Sequence, residues 1–259
     1  VQAERLALSL PRTMAFYGST HPESGFMIEA LKEKLEEVLP EWSIRVDQGK
    51  DASKTQLQDL IGAPASPALL FYAGHGIVAP ENHPDRLTLQ GGLYCSGRDG
   101  FPENSPISGT NSYLAEDLAS DAQVLGKIVF LCSSYALGTP HSRSEVGLSE
   151  NSSEHLVSSE PFVAPLPQRL LAHPNGGALA VLGPTDQIWN ATQPSVANAL
   201  YGSLRSLMSS YPVGYAIEPL KNLSAEAINA LNQAFEDVDM GERPGGGVAS
   251  HWITQEMTR

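Results

Sequence analysis

The chain has 259 residues, 41% of them hydrophobic, and a net charge of −13, the size of one large domain that buries roughly 70–75% of its unfolded surface without a covalent staple. With no basic stripe, it offers little to nucleic acid, whose phosphates need clustered Lys and Arg. Two cysteines, Cys95 and Cys132, are too few for a disulfide framework, and no apolar run reaches the roughly 18 residues that span a bilayer.

Val1-Gln2-Ala3-Glu4-Arg5 is charged and carries no initiator Met. With no secretory signal at that end, the expectation is a reduced cytoplasmic domain taken from a longer polypeptide. Residues 13–17 read as a buried strand stopped by Gly18. Glu23-Ser24-Gly25 precede a helical pattern with Met27, Ile28, Leu31, Leu35, Val38 and Leu39 on one side, ended by Pro40. Residues 42–46 alternate as a second strand. Ser53 is placed to cap a helix over 54–61, with Gly62 as its stop. Residues 68–73 form a third strand, which runs into Gly74-His75-Gly76.

Next, 86–89 and 92–95 are expected to make a small hairpin across Gln90-Gly91, and 111–119 a helix. Residues 127–131 form a fourth strand, which delivers Cys132. From 138 to 160 the chain is rich in Ser and Glu and poor in large apolar groups, and it reads as a mobile surface loop. A short helix at 165–171, a buried strand at 177–182 and amphipathic helices at 192–207 and 224–235 follow. This alternation predicts a single α/β domain over 1–259, with a mostly parallel sheet covered on both faces.

Two of the strands end in a nucleophile and a base. In an open parallel sheet, chemistry sits at the carboxyl ends of neighbouring strands. A thiol becomes a useful nucleophile as a thiolate, a state that a nearby imidazole stabilises. A buried cysteine is also an ordinary small hydrophobe, but Ser133-Ser134 and Gly138-Thr139-Pro140 mark a loop after Cys132 rather than a continuing strand. Glycines on both sides of His75 let the backbone turn sharply after its strand. The Gly76 N–H is placed to donate to a developing oxyanion.

Other chemistries find little support. No His-x-x-x-His or Cys-x-x-Cys pair suggests structural zinc. No Gly-x-Ser-x-Gly suggests a serine hydrolase. Gly91-Gly92 and Gly245-Gly246-Gly247 lack the strand-to-helix setting of a phosphate-binding loop.

In order, Phe71-Tyr72-Ala73-Gly74-His75-Gly76, Val129-Phe130-Leu131-Cys132-Ser133-Ser134 and the run from Gly177 to Trp189 resemble the motifs of caspase-fold cysteine peptidases, closest to the gingipain-type and CHAT branches. The resemblance runs from about Met14 to Tyr215. It implies a caspase-like three-layer α/β/α sandwich and a bacterial cysteine endopeptidase with Cys132 as nucleophile and His75 as acid and base. It implies an oxyanion hole from the N–H groups of Gly76 and Cys132, and a specificity pocket lined by Thr185, Asp186 and Trp189. The 138–160 segment falls where such peptidases carry a processing or lid loop. No cofactor is implied, although some relatives bind calcium. The implied partners are a protein or peptide substrate and regulatory domains or proteins, with neither nucleic acid nor membrane.

Phe130 stands where many metacaspases carry an acidic residue, and Phe130-Leu131 where CHAT proteins carry a Ser-Ala pair. Specificity therefore does not carry over. Asp186 and Glu23 are acidic candidates for a basic P1 side chain, or solvated loop carboxylates. Trp189 walls a pocket or packs in a core. The alternatives to a peptidase are a catalytically inactive scaffold of the same fold and a non-peptidase thiol enzyme, such as an acyltransferase or amidase.

Overall fold

The computed structural model describes residues 10–19, 22–49, 52–80, 82–95, 111–140, 142–144, 154–156, 158, 160–186 and 194–240. In chain order these form β1 (Thr13–Gly18), α1 (Pro22–Val38), β2 (Ser43–Gln48), α2 (Lys54–Gly62), β3 (Leu69–Ala73), α3 (Arg86–Leu89), β4 (Leu93–Tyr94) and β5 (Ser112–Tyr113). A 3-10 turn at Ala115–Asp117 leads to β6 (Ile128–Cys132), β7 (Gly138–Thr139), β8 (Ser142–Ser144), β9 (Glu154–Leu156), β10 (Phe162–Val163), α4 (Pro165–Leu171) and β11 (Ala180–Leu182). The last helices are α5 (Pro194–Met208), α6 (Val213–Ala216) and α7 (Glu218–Asp239).

Five strands form one sheet in the order β11-β6-β3-β1-β2, and every neighbouring pair is parallel. The central strands are apolar on both faces because both faces are covered. On one face Phe16, Phe71 and Phe130 stand in a single register row. Their rings lie 5.4 and 5.3 Å apart, centre to centre. Gly18 shares that face. A Cβ there would sit 2.8 Å from Ile28 Cδ1, so α1 covers this side of β1. The opposite face carries Ala15, Tyr17, Leu70, Tyr72, Val129 and Leu131. These pack with Leu57, Leu60 and Ile61 of α2 and Leu166 and Leu170 of α4. The result is the three-layer α/β/α arrangement around a parallel sheet that the sequence predicts.

The cap of α2 is also as the sequence predicts: Ser53 Oγ accepts from the Gln56 N–H at 3.2 Å. Gly62 is the last helical residue rather than the stop. A Cβ there would press on Ala122 Cβ at 2.9 Å, so close packing is the reason for a glycine.

Three segments differ from expectation. Residues 86–95 are not a hairpin. Arg86–Leu89 closes a helical turn, with Leu89 N–H on the Asp85 carbonyl and Gln90 N–H on the Arg86 carbonyl, both within 3.0 Å. β4 pairs instead with β5, antiparallel. The predicted helix at 111–119 is β5 followed by the 3-10 turn, which Asp117 Oδ2 ties by accepting the Leu114 N–H at 2.8 Å. In 138–160, expected to be a mobile surface loop, β8 pairs with β9, and β7 pairs with β10 just beyond the segment.

The chain gathers into two compact units. The first, 1–139 with 162–186, holds the sheet. The second, 140–161 with 187–259, holds β8, β9 and α5 to α7. Within the second unit α5 packs on α7 and α6, a Cβ at Gly202 would touch Pro219 Cγ at 3.2 Å, and Tyr211 stacks on Tyr215 at 4.8 Å.

Candidate active site

β3 and β6 are neighbours, and Ala73 is the register partner of Cys132. The Gly74 N–H donates to the Cys132 carbonyl at 3.2 Å, and the Ser19 N–H to the Ala73 carbonyl at 3.0 Å. Three strand ends therefore share one rim of the sheet, with His75 two residues past the partner of Cys132.

Beyond that rim the 74–79 loop folds back on β4. Its rungs are Tyr94 N–H to the His75 carbonyl (3.1 Å) and Ile77 N–H to the Gly92 carbonyl (2.7 Å), flanking a bridge between Gly76 and Leu93. In an antiparallel ladder such flanking bonds leave the bridged pair itself non-hydrogen-bonded. The ladder therefore does not engage the Gly76 N–H. The Cys132 N–H has a different setting. In a parallel ladder one residue bonds two alternate residues of its neighbour. With Gly74 N–H on the Cys132 carbonyl, the register turns the Cys132 N–H toward Tyr72. Of the two sequence-predicted oxyanion donors, Gly76 is the one outside the ladder.

The loop after Cys132 meets both its neighbours. A Cβ at Gly76 would collide with the Ser134 carbonyl, so bare backbone lets the two motif loops touch. Tyr135, at φ 57°, turns the chain through the left-handed region. Its N–H donates to the Asp186 carbonyl, and the Leu137 N–H to the Pro184 carbonyl, each at 2.9 Å. Leu131 and Gly183 are in backbone contact, a Cβ at Gly183 falling 2.7 Å from the Leu131 carbonyl oxygen. The segment carrying Thr185 and Asp186 is thereby fixed beside the nucleophile loop.

Burial governs the electrostatics. Cys132 is buried, and desolvation pushes its thiol up to about 12. At neutral pH it is therefore a protonated thiol. The His75 ring is exposed.

The structure brings Cys132, His75, Gly76 and Asp186 to one edge of the first unit. Asp186 is buried and Thr185 exposed. Glu23 stands in the first turn of α1, its side chain outside the described residues. Trp189 also lies outside them. Two participants were not singled out from sequence. Ser134 meets Gly76 through its backbone, which carries no sequence signal. Tyr72 reaches the His75 carbonyl at 3.0 Å and the Tyr94 carbonyl at 2.7 Å, and its signal is its position two residues before Gly74 on the same strand face.

Comparison with protein families, curated proteins and solved structures finds no match to the chain. The case for the site rests on its own geometry. Among the described residues no group of three or more His, Cys, Asp or Glu side chains could hold a metal ion, and no helix is long and apolar enough to cross a membrane. Among the described residues, a cleft of about 420 Å³ is lined by Thr13, Ser43, Arg45, Asp59 and Ser66. It opens at the amino ends of the strands, away from the paired cysteine and histidine.

Proposed function

We propose that this chain is a cysteine endopeptidase of caspase-like type, hydrolysing peptide bonds of a protein or peptide substrate through Cys132 and His75. One observation carries the reading: adjacent parallel strands end in register at Ala73 and Cys132, which puts a histidine loop beside a cysteine on the edge where such sheets bind ligands.

The buried thiol favours general-base catalysis over a preformed ion pair. His75 takes the Cys132 proton as sulfur attacks the scissile carbonyl carbon. The negative oxygen of the tetrahedral intermediate accepts from the Gly76 N–H. The intermediate breaks its carbon–nitrogen bond, and the imidazolium gives its proton to the departing amine. Water then attacks the thioester, His75 taking its proton. The carbon–sulfur bond breaks, and the proton returns to the thiol. In this reading Asp186 and Thr185, on the segment held against the loop after Cys132, line the P1 subsite. A free thiol and an acidic surface suit a reducing cytoplasm, and regulatory domains or proteins are the partners to seek. Calcium has only family resemblance in its favour.

Fluorogenic peptides with basic, acidic and apolar P1 residues test the proposal. Wild type is expected to cleave at least one class, and Cys132→Ala none. Equal turnover by the two proteins would end the assignment. The burial of Cys132 favours a second reading, a scaffold that keeps the fold without turnover. Absence of cleavage across the panel, with Cys132 inert to alkylating agents, would select it.

A further inference from the structure

We infer that Tyr72 is the positioning residue of the candidate site, its hydroxyl fixing the backbone from which the His75 imidazole is aimed. This rests on the reading of His75 and Cys132 as a catalytic pair.

Tyr72 belongs to β3, one residue before the register partner of Cys132. Its ring is fully buried and stacks on Tyr17, 5.6 Å between centres. The ring is therefore fixed by the core, and only its hydroxyl extends to the rim. There Oη reaches the His75 carbonyl (3.0 Å) and the Tyr94 carbonyl (2.7 Å), while the Tyr94 N–H donates to the same His75 carbonyl (3.1 Å). One phenol proton, shared between the two carbonyls with Tyr94 the nearer, thus links the end of β3 to the histidine peptide and β4.

Gly74 completes the arrangement. A Cβ there would collide with Ser19 Oγ and stand 2.7 Å from Tyr72 Oη, so the space a side chain would take is already filled by the Ser19 and Tyr72 hydroxyl groups. Burial also pushes the phenol pKa well upward, which keeps the group a donor at any working pH. A hydroxyl in that position costs desolvation unless it is bonded. Packing alone would be served by phenylalanine. The His75 ring is exposed, and its peptide is the part of the residue that the Tyr72 hydroxyl meets.

The test is the pH profile of Cys132 alkylation by iodoacetamide, read by peptide mass mapping so that Cys95 is counted apart. Wild type, His75→Ala and Tyr72→Phe are compared, with circular dichroism confirming the fold. The expected wild-type profile has a component that follows imidazole titration. His75→Ala abolishes it, and folded Tyr72→Phe weakens it on the order of 10- to 100-fold, the scale of a misplacement of about 1 Å. With peptide substrates, Tyr72→Phe lowers kcat and leaves KM near wild type. A folded Tyr72→Phe with the wild-type profile overturns the inference while the pair stands. A wild-type profile in His75→Ala removes the pair, and the inference with it. In a Ser19→Gly background, which removes the two Ser19 contacts, Gly74→Ala displaces the hydroxyl without deleting it and must reproduce the Tyr72→Phe profile. If Tyr72→Phe does not fold, Gly74→Ala in that background decides by the same criterion.

Discussion

Gly76 and Lys127 show how a single residue governs this edge and the core behind it. Gly76 has no side chain because the Ser134 carbonyl occupies the place of a Cβ. Backbone cannot swing aside as a flexible side chain can. Gly76→Ala must therefore spread the two motif loops, at a cost of about 1–3 kcal/mol from overpacking. The expected outcome is a lower denaturant midpoint together with loss of peptidase turnover, checked by urea titration and by the fluorogenic panel. Lys127, just before β6, is a different case. Its buried ammonium donates to the Ile61 carbonyl at 3.0 Å and to Ser66 Oγ. Desolvation lowers its pKa from 10.5 to about 8. The folded state thus holds this proton less tightly than the unfolded one. Between about 8 and 10.5 the unfolded chain binds more protons, so this group's contribution to stability rises with pH. Below about 8 the burial penalty is fully present. Unfolding of wild type and Lys127→Met across this range is expected to show the difference shifting in favour of wild type as pH climbs.

At the scale of elements, α2 is held by local chemistry. Ser53 Oγ accepts the Gln56 N–H, and Tyr17 Oη donates to the Ala52 carbonyl at the same junction, with the Ser53 carbonyl 3.2 Å away. Ser53→Ala removes only the cap and is expected to cost about 1 kcal/mol. It should appear as a lower urea midpoint with an unchanged slope and unchanged Cys132 alkylation, since the cap lies outside the candidate site. Elements of this kind were legible in the sequence because their signals are local: a cap three residues before its acceptor's partner, or an apolar strand ended by glycine. The strand-end positions of His75 and Cys132 were legible for the same reason. The 86–95 and 111–119 segments were not. Leu87 and Leu89 alternate as a strand would, yet the Asp85 and Arg86 carbonyls are satisfied by nearby N–H groups and Arg86 turns inward. Ser112–Tyr113 finds its partner in β4, across a stretch of chain whose pairing no local pattern encodes. Tyr72 and Ser134 escaped notice because a core tyrosine reads as packing and a backbone contact depends on register.

Charge acts on the molecule as a whole. Twenty-nine acidic residues against sixteen basic ones leave −13, and a field of that sign attracts cationic substrates and repels anionic ones before any pocket is reached. Such steering works through the approach of substrate and is screened by salt. Between about 0.01 M and 1 M salt the screening length falls from about 30 Å to about 3 Å. A specific carboxylate contact inside a pocket is screened much less than the field outside it. For peptides cleaved through Cys132, raising salt across that range is expected to lower kcat/KM for multiply cationic substrates and raise it for anionic ones of the same P1 residue, with kcat nearly constant. Substrates that differ in charge only at positions remote from P1 separate the two effects. If kcat/KM follows remote charge and salt together, the surface field sets the approach. If it follows the P1 residue alone at every salt concentration, recognition lies in direct contacts to the P1 side chain, and the surface charge has no part in selecting substrate.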